Sequence, residues 1–211
     1  MSFNPKRRYS AVALFSENLE RVVLIHKLRP DWQAGKANLP GGKVELSDIP
    51  GSWWSVHGDS HGLDLQPGDT WVTSFSEESF DIAYRRCAVR ELREETGLDI
   101  AAAALKLFCR LRYVSREGNA AECCFFAARG DVDAARTMEA ERVFVGEVAH
   151  VFDGIGAYDF DPKTIGYRVE LPTMPNLPYL VAMARQCLRG EGGATWPLTV
   201  YENGATLEHA Q

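Results

Sequence analysis

The sequence predicts an α/β domain with one sizeable core. Its 211 residues, of which 45% are hydrophobic, suit a single domain better than two. Apolar, strand-like runs occur before and after one long acidic helical stretch, as expected of a sheet that packs against helices.

The elements outside the acidic stretch follow from local patterns. Residues 8–15 and 21–28 are apolar runs separated by turn residues, so we expect two antiparallel strands there. Later patterns predict, in chain order, a strand hairpin at 99–115 and 119–128, a strand at 143–145 and an amphipathic helix at 177–188 that Gly190 ends.

The acidic helix places three carboxylates within five residues, in the stretch RELREETGL at 90–98. At about 100° per residue, Glu91, Glu94 and Glu95 project from one face of a helix. Gly97 then provides the left-handed residue that commonly ends a helix. Carboxylates this close repel one another, so the face is either solvated or gathered around a cation, and Mg²⁺ prefers oxygen ligands of this kind.

A glycine turn, LPGGKVE at 39–45, precedes this helix and could bring backbone carbonyls close to a ligand. Together the two stretches resemble the signature of the Nudix family, G-x5-E-x7-R-E-U-x-E-E-x-G-U, in which U is bulky and aliphatic. Residues 90–98 match its second half at every specified position, and Gly42 matches its first glycine. The resemblance covers residues 8–189 and implies an α/β/α sandwich with a mixed sheet and a short helix at 147–152.

The signature is interrupted in this chain. Five residues separate Gly42 from Asp48, which stands where the family has glutamate. The family then has seven residues before its arginine, whereas 41 residues separate Asp48 from Arg90 in this chain. Asp48, Glu45 and Glu78 are the candidates to replace that glutamate. We expect one Nudix-like domain at 1–192 with an insertion at 46–80, followed by a C-terminal tail at 193–211.

The insertion is rich in Gly, Ser, Asp and Pro and also carries three tryptophans. A loop of this length is either functional or disordered, and its aromatic residues argue against simple disorder. It is either a lid in which a tryptophan covers the substrate, or else a surface hairpin without such a role or an oligomer contact.

The resemblance implies roles for the residues of the signature. Glu94 and Glu95 are expected to bind Mg²⁺, with Mn²⁺ as a substitute, together with the backbone carbonyl of Gly41. Glu91 is either a third ligand or the base that takes a proton from water. Arg90 is grouped with Glu91 in the catalytic set, because it is implied to pair with a signature glutamate and to hold the carboxylates in place.

Substrate contacts are expected at Lys43, Trp32 and Tyr113. Lys43 could meet phosphate, and Trp32 precedes the glycine turn. Tyr113 lies sixteen residues beyond Gly97, where family members acting on dinucleoside polyphosphates carry a tyrosine that stacks on a base. Many members add a glutamate from elsewhere in the chain, for which there are three candidates: Glu122, Glu139 and Glu141.

Composition limits the partners and the compartment. The net charge of −6 and the pI of about 5.4 argue against a broad nucleic-acid surface. We find no apolar run long enough to span a bilayer and no signal-type N-terminus. Five cysteines without metal-ligand spacing indicate reduced thiols. We therefore expect a cytoplasmic protein. The resemblance adds a small nucleotide-like substrate, and the sequence leaves the oligomeric state open, with a homodimer as the candidate.

The resemblance implies a Mg²⁺-dependent hydrolase that cleaves, with water, the diphosphate bond of a nucleoside diphosphate linked to another moiety. The alternative is a Nudix-fold sensor or regulator that binds a nucleotide-like ligand without hydrolysis. Such proteins usually lose signature glutamates, and this chain keeps all three, which favours the enzyme. A third option, an isomerase on the same fold, would need a catalytic cysteine, and Cys87 is the thiol placed one turn before Glu91.

Overall fold

The computed structural model describes most of the chain, namely residues 7–49, 77–114, 120–138, 142–160, 168–190, 198–203 and 206–209. In this part of the chain, a mixed sheet lies between helices that cover its two faces. The predicted α/β/α sandwich with a mixed sheet is therefore confirmed.

Eleven strands and three α-helices make up the described elements. The strands are β1 (Arg7–Phe15), β2 (Arg21–Lys27), β3 (Lys36–Asn38), β4 (Gly41–Lys43), β5 (Lys106–Val114), β6 (Ala120–Arg129), β7 (Val143–Glu147), β8 (Ile155–Phe160), β9 (Arg168–Pro172), β10 (Leu198–Asn203) and β11 (Thr206–His209). The helices are α1 (Glu77–Thr96), α2 (Val148–Phe152) and α3 (Leu177–Arg189).

Nine of these strands form the main sheet, in the order β11-β10-β5-β6-β1-β2-β3, with β4 paired to β1 and β7 to β2. The sheet is mixed because β1 runs parallel to β6 and β10 parallel to β5, whereas its other pairs are antiparallel. Strands β2 and β4 share one edge of β1 at its two ends. This arrangement brings the glycines of β4 beside the centre of the sheet.

Each face of the sheet has its own hydrophobic core. On one face, Tyr84 and Leu92 of α1 pack with residues such as Val12 and Phe126. On the other face, α3 packs against a second cluster that includes Phe15. Because both faces are covered, β1 is buried along nearly its whole length, which explains an apolar run instead of a clean alternation.

The sequence predicted the helices well and missed several strands. Helix α3 ends at Gly190 in the left-handed conformation, as expected. The strand expected from residue 99 begins only at Lys106, because Ala102–Ala104 form a 3-10 turn. The hairpin of β8 and β9 and the strands β10 and β11 were not expected, and β10 extends the main sheet from within the segment predicted to be a tail. Most of the insertion, residues 50–76, lies outside the described residues, so both interpretations of it stay predictions.

Among the residues that the structure describes, no helix is long and apolar enough to cross a membrane.

Packing of α1 on the sheet can be tested with two substitutions in that helix. Leu92 is fully buried, whereas Ile82 is 40% exposed. We expect Leu92→Ala to lower the free energy of unfolding by about 2–5 kcal/mol, because it leaves a cavity in the core. The matched control, Ile82→Ala, should change it by less than about 1 kcal/mol. Denaturant unfolding measures both values, and equal losses would contradict the assigned packing.

Candidate functional site

The acidic half of α1 lies directly over the glycines of β4. Gly41 pairs with Ala11 and Gly42 with Ser10 on β1. A Cβ atom at Gly41 would overlap the carbonyl oxygen of Ser10 and would lie 2.6 Å from Cα of Ala11. A Cβ atom at Gly42 would overlap the carboxylate of Glu91. Gly41 is therefore needed for β4 to lie this close to β1, and Gly42 leaves the space that the Glu91 carboxylate of α1 occupies.

Glu95 is the most buried of the three carboxylates, with 5% of the residue exposed. Its Oε2 accepts a hydrogen bond from the backbone N–H of Gly41 at 2.7 Å, and its Oε1 accepts one from Nζ of Lys27 at 2.9 Å. Burial raises the pKa of Glu95 to about 7, although Lys27 and the Gly41 N–H both favour the charged form. The structure thus brings together Glu95 and Gly41, two of the predicted metal ligands.

Glu91 and Glu94 share one cationic partner. Nη1 of Arg90 donates to Oε1 of Glu91 at 2.8 Å and to Oε2 of Glu94 at 2.9 Å. Burial raises the pKa of Glu91, although the positive charge of Arg90 acts to lower it. The side chain of Glu94 is 43% exposed. The three carboxylates therefore lie on one helix face, as predicted, and differ in their access to solvent.

Arg90 also ties the helix to the loop after β4. Its Nε and Nη2 donate to the two carboxylate oxygens of Asp48 at 3.1 and 3.0 Å, and Nη2 donates to the carbonyl of Lys43 at 3.1 Å. Asp48 is 3% exposed. This two-point ion pair is the contact that the resemblance implied for Arg90 and the missing signature glutamate. Asp48 provides it here, although the signature is interrupted by the insertion.

The donor atoms are of the kind that a hard divalent cation binds, since three carboxylates and the Gly41 carbonyl all offer oxygen. A positive group already contacts two of these donors, because Nζ of Lys27 lies 2.9 Å from Glu95 and 3.5 Å from the Gly41 carbonyl oxygen. In the part of the chain that the structure describes, no three acidic, histidine or cysteine side chains converge closely enough to surround an ion. Arg90 and Lys27 instead engage carboxylate oxygens that an ion would use.

Lys27 is the member of this site that the sequence analysis missed. A usable signal was present, because Val23, Ile25 and Lys27 alternate along β2 and should share one face of the sheet. Val23 belongs to the core beneath α1. A lysine that continues such a buried face needs an acidic partner inside the protein.

The predicted substrate residues lie in different places. Lys43 is exposed at the end of β4, beside the acidic face. Trp32 is 62% exposed in the turn between β2 and β3, at the sheet end where Lys27 pairs with Lys36. On the α1 side of the sheet, Arg112 donates a hydrogen bond to Glu122. Because successive side chains of a strand point to opposite faces, the next residue, Tyr113, lies on the other face of the sheet. The structure does not bring Tyr113 to the acidic face of α1.

The proposed additional glutamate, Glu122, is engaged elsewhere. It accepts hydrogen bonds from the hydroxyl of Tyr84 at 2.7 Å and from Nε of Arg112 at 2.6 Å. Burial opposes the charge of Glu122, but these hydrogen bonds outweigh it and leave its pKa below the ordinary value. Tyr84 precedes Glu91 by about 10 Å of helix, at 1.5 Å per residue. The other two candidates, residues 139 and 141, lie outside the described residues.

Cys87, the thiol considered for an isomerase, is fully buried beside Arg90 and Gly42. Burial raises the pKa of the Cys87 thiol, and the negative charges of Asp48 and Glu91 raise it further. A buried neutral thiol is a poor nucleophile. The geometry therefore does not favour cysteine chemistry at this position.

Solved structures of Nudix proteins share this fold. A MutT protein from Bacillus halodurans has a TM-score of 0.52 and 14% identity, over 96% of each chain. The NUDIX domain of NrtR from Shewanella oneidensis, solved with ADP ribose, has a TM-score of 0.53 and 16% identity, over 88% of this chain and 90% of that one. A NUDIX hydrolase from Alicyclobacillus acidocaldarius has a TM-score of 0.53 and 13% identity, over 88% of this chain and 94% of that one.

These similarities show that the chain has the Nudix fold. A scan against protein-family models and a search of the curated proteins both give no match.

The ion pair of Asp48 and Arg90 can be tested by removing its acidic partner. We expect Asp48→Ala to lower the free energy of unfolding by about 1–3 kcal/mol, because Nε and Nη2 of the partly buried Arg90 then lose the carboxylate to which they donate. Asp133 forms an exposed ion pair with Arg21, so Asp133→Ala should leave the unfolding midpoint nearly unchanged. Similar midpoints for the two variants would contradict a structural role for Asp48.

The two glycines of β4 should differ in their tolerance of alanine. Gly41→Ala meets the fixed backbone of β1, so we expect it to cost about 1–3 kcal/mol or more of unfolding free energy. Gly42→Ala meets only the end of the Glu91 side chain, which can rotate away, so its cost should be smaller. Thermal unfolding of both variants provides the comparison, and a larger loss for Gly42→Ala would contradict the geometry of the turn.

Proposed function

We propose that this protein is a metal-dependent hydrolase that cleaves, by attack of water, the diphosphate bond of a nucleoside diphosphate linked to another moiety. The observation that carries the proposal is the contact between the acidic face of α1 and the glycines of β4. Glu95 accepts the Gly41 N–H, and the carboxylate of Glu91 fills the space above Gly42. An acidic face held against backbone groups in this way suits the binding of a cation that in turn binds phosphate.

Glu94, Glu95 and the carbonyl of Gly41 would hold Mg²⁺, or Mn²⁺ in its place. A divalent cation bound there would neutralise phosphate charge and lower the pKa of a bound water. Arg90 keeps Glu91 and Glu94 on the same side of the helix, and Asp48 fixes Arg90 in turn. The positions of the carboxylates are thus set before substrate arrives, which limits the reorganisation needed for reaction.

Glu91 is better placed than Glu95 to accept a proton from water. Glu95 is buried and tied to both the Gly41 N–H and the Lys27 ammonium. Glu91 is only partly buried, with 15% of its side chain exposed against 6% for Glu95, so water reaches it more readily. We therefore assign the base role to Glu91 and the ligand role to Glu95.

The substrate side of the proposal depends on exposed groups near this face. Lys43 could neutralise phosphate charge, and the exposed ring of Trp32 could stack on a base. A nucleotide-like ligand is supported by the NUDIX domain from Shewanella oneidensis, which was solved with ADP ribose. The cytoplasmic location and a homodimer stay predictions.

One observation favours the alternative, a sensor that binds its ligand without hydrolysis. In the described structure, Arg90 and Lys27 already form ion pairs with Glu91, Glu94 and Glu95. A site whose carboxylates are engaged by its own side chains could bind a nucleotide and leave it intact. Product release separates this alternative from the enzyme.

The test is hydrolysis of a substrate panel with and without Mg²⁺, containing ADP-ribose, dinucleoside polyphosphates and nucleoside triphosphates. We expect one class to be cleaved only with the ion, and Glu95→Gln to lower its turnover by at least about 100-fold, the effect of removing one key electrostatic group. Glu17→Gln, at an exposed position in the turn after β1, should retain turnover. Tight binding of a panel member by wild type, without product, would support the sensor instead.

A further inference from the structure

Lys27 brings a positive charge into the carboxylate site from the end of β2. Its ammonium nitrogen lies 2.9 Å from Oε1 of Glu95 and 3.5 Å from the carbonyl oxygen of Gly41. The side chains of Lys27 and Glu95 are only 12% and 6% exposed. The ammonium therefore contacts two of the three groups that the proposed function assigns to the divalent cation.

The backbone fixes the direction of this lysine. Lys27 follows Val23 and Ile25 on the face of β2 that turns toward α1. Lys27 pairs with Lys36 on β3, and the backbone carbonyl of Lys27 accepts a hydrogen bond from the N–H of Gly35 at 2.9 Å. With its strand held in this way, the side chain extends along the sheet to Glu95.

We infer that Lys27 is a built-in competitor of the divalent cation, which binds between Glu95 and the Gly41 carbonyl only when it displaces the ammonium. This inference rests on the proposed function, because it takes the cation ligands from there. Two positive groups a few ångströms apart in a partly buried site repel each other strongly, so both do not occupy the same pair of oxygens. Lys27 thereby weakens the affinity of the site for the ion and stabilises the protein when no ion is bound.

The experiment measures binding of Mn²⁺ without substrate, from the electron paramagnetic resonance signal of the unbound ion, at about pH 8 so that protons compete less for carboxylates. We expect Lys27→Met to bind Mn²⁺ at least about tenfold more tightly than wild type, because the competing charge is gone. Lys36→Met is the matched control. It removes the same charge from the cross-strand neighbour, whose Nζ donates to the carbonyl of Trp32, and should change the affinity by no more than about twofold.

Two further variants locate the effect. Adding Glu95→Gln to Lys27→Met should abolish the gain, because it removes the shared carboxylate. Lys27→Arg keeps the charge and can donate two hydrogen bonds to Glu95, so it should bind Mn²⁺ less tightly than wild type. Circular dichroism of each variant establishes that it is folded, and if Lys27→Met does not fold, the comparison of Lys27→Arg with wild type decides.

The outcomes separate this inference from the proposed function. If wild type binds Mn²⁺ and folded Lys27→Met binds it no more tightly, competition by Lys27 is wrong while a metal-dependent hydrolase still stands. Equal or tighter binding by Lys27→Arg also overturns the inference. If neither wild type nor folded Lys27→Met binds Mn²⁺, the inference and the proposed metal dependence fail together.

Discussion

The close approach of the acidic face of α1 to the backbone of β4 is the contact on which the rest of the site depends. Carboxylates can be buried only when they are paired or hydrogen-bonded. Here Gly42 leaves room for the Glu91 carboxylate, Gly41 lets β4 lie close to β1, and the Gly41 N–H satisfies one oxygen of Glu95. Asp48 then joins the loop to the helix through Arg90. The turn, the loop and the helix therefore form one unit, although a long insertion separates them in sequence.

This unit has to meet two opposing demands. A cluster of negative charge attracts a cation, but the same cluster destabilises the protein when no cation is bound. Arg90 and Lys27 reduce that repulsion from two sides, with Arg90 on Glu91 and Glu94 and Lys27 on Glu95. Their contacts differ in kind, because Arg90 is itself fixed by Asp48, whereas Lys27 reaches the site on a long flexible stem. The arginine is thus suited to positioning and the lysine to exchange.

The three-layered architecture explains which residues join the site and which do not. Both faces of the sheet are covered, so the central strands β1, β2, β5 and β6 divide their side chains between two separate cores. Lys27 falls on the α1 side and meets Glu95, whereas Tyr113 falls on the other side. Glu122 is on the α1 side but near the beginning of β1 and β6, where Tyr84 and Arg112 engage it. Distance along the helix, and not the face of the sheet, separates Glu122 from the acidic cluster.

The sequence by itself determined what depends on local geometry. The spacing of Glu91, Glu94 and Glu95 places them on one face whenever that stretch is helical, and the glycine turn could be recognised from its own residues. It also narrowed the replacement for the missing glutamate to three residues. Only the tertiary structure paired Asp48 with Arg90, added Lys27, and placed β10 and β11 at the edge of the sheet. These features depend on which strands become neighbours, and that is set by long-range pairing and by burial on two faces, which spacing along the chain does not encode.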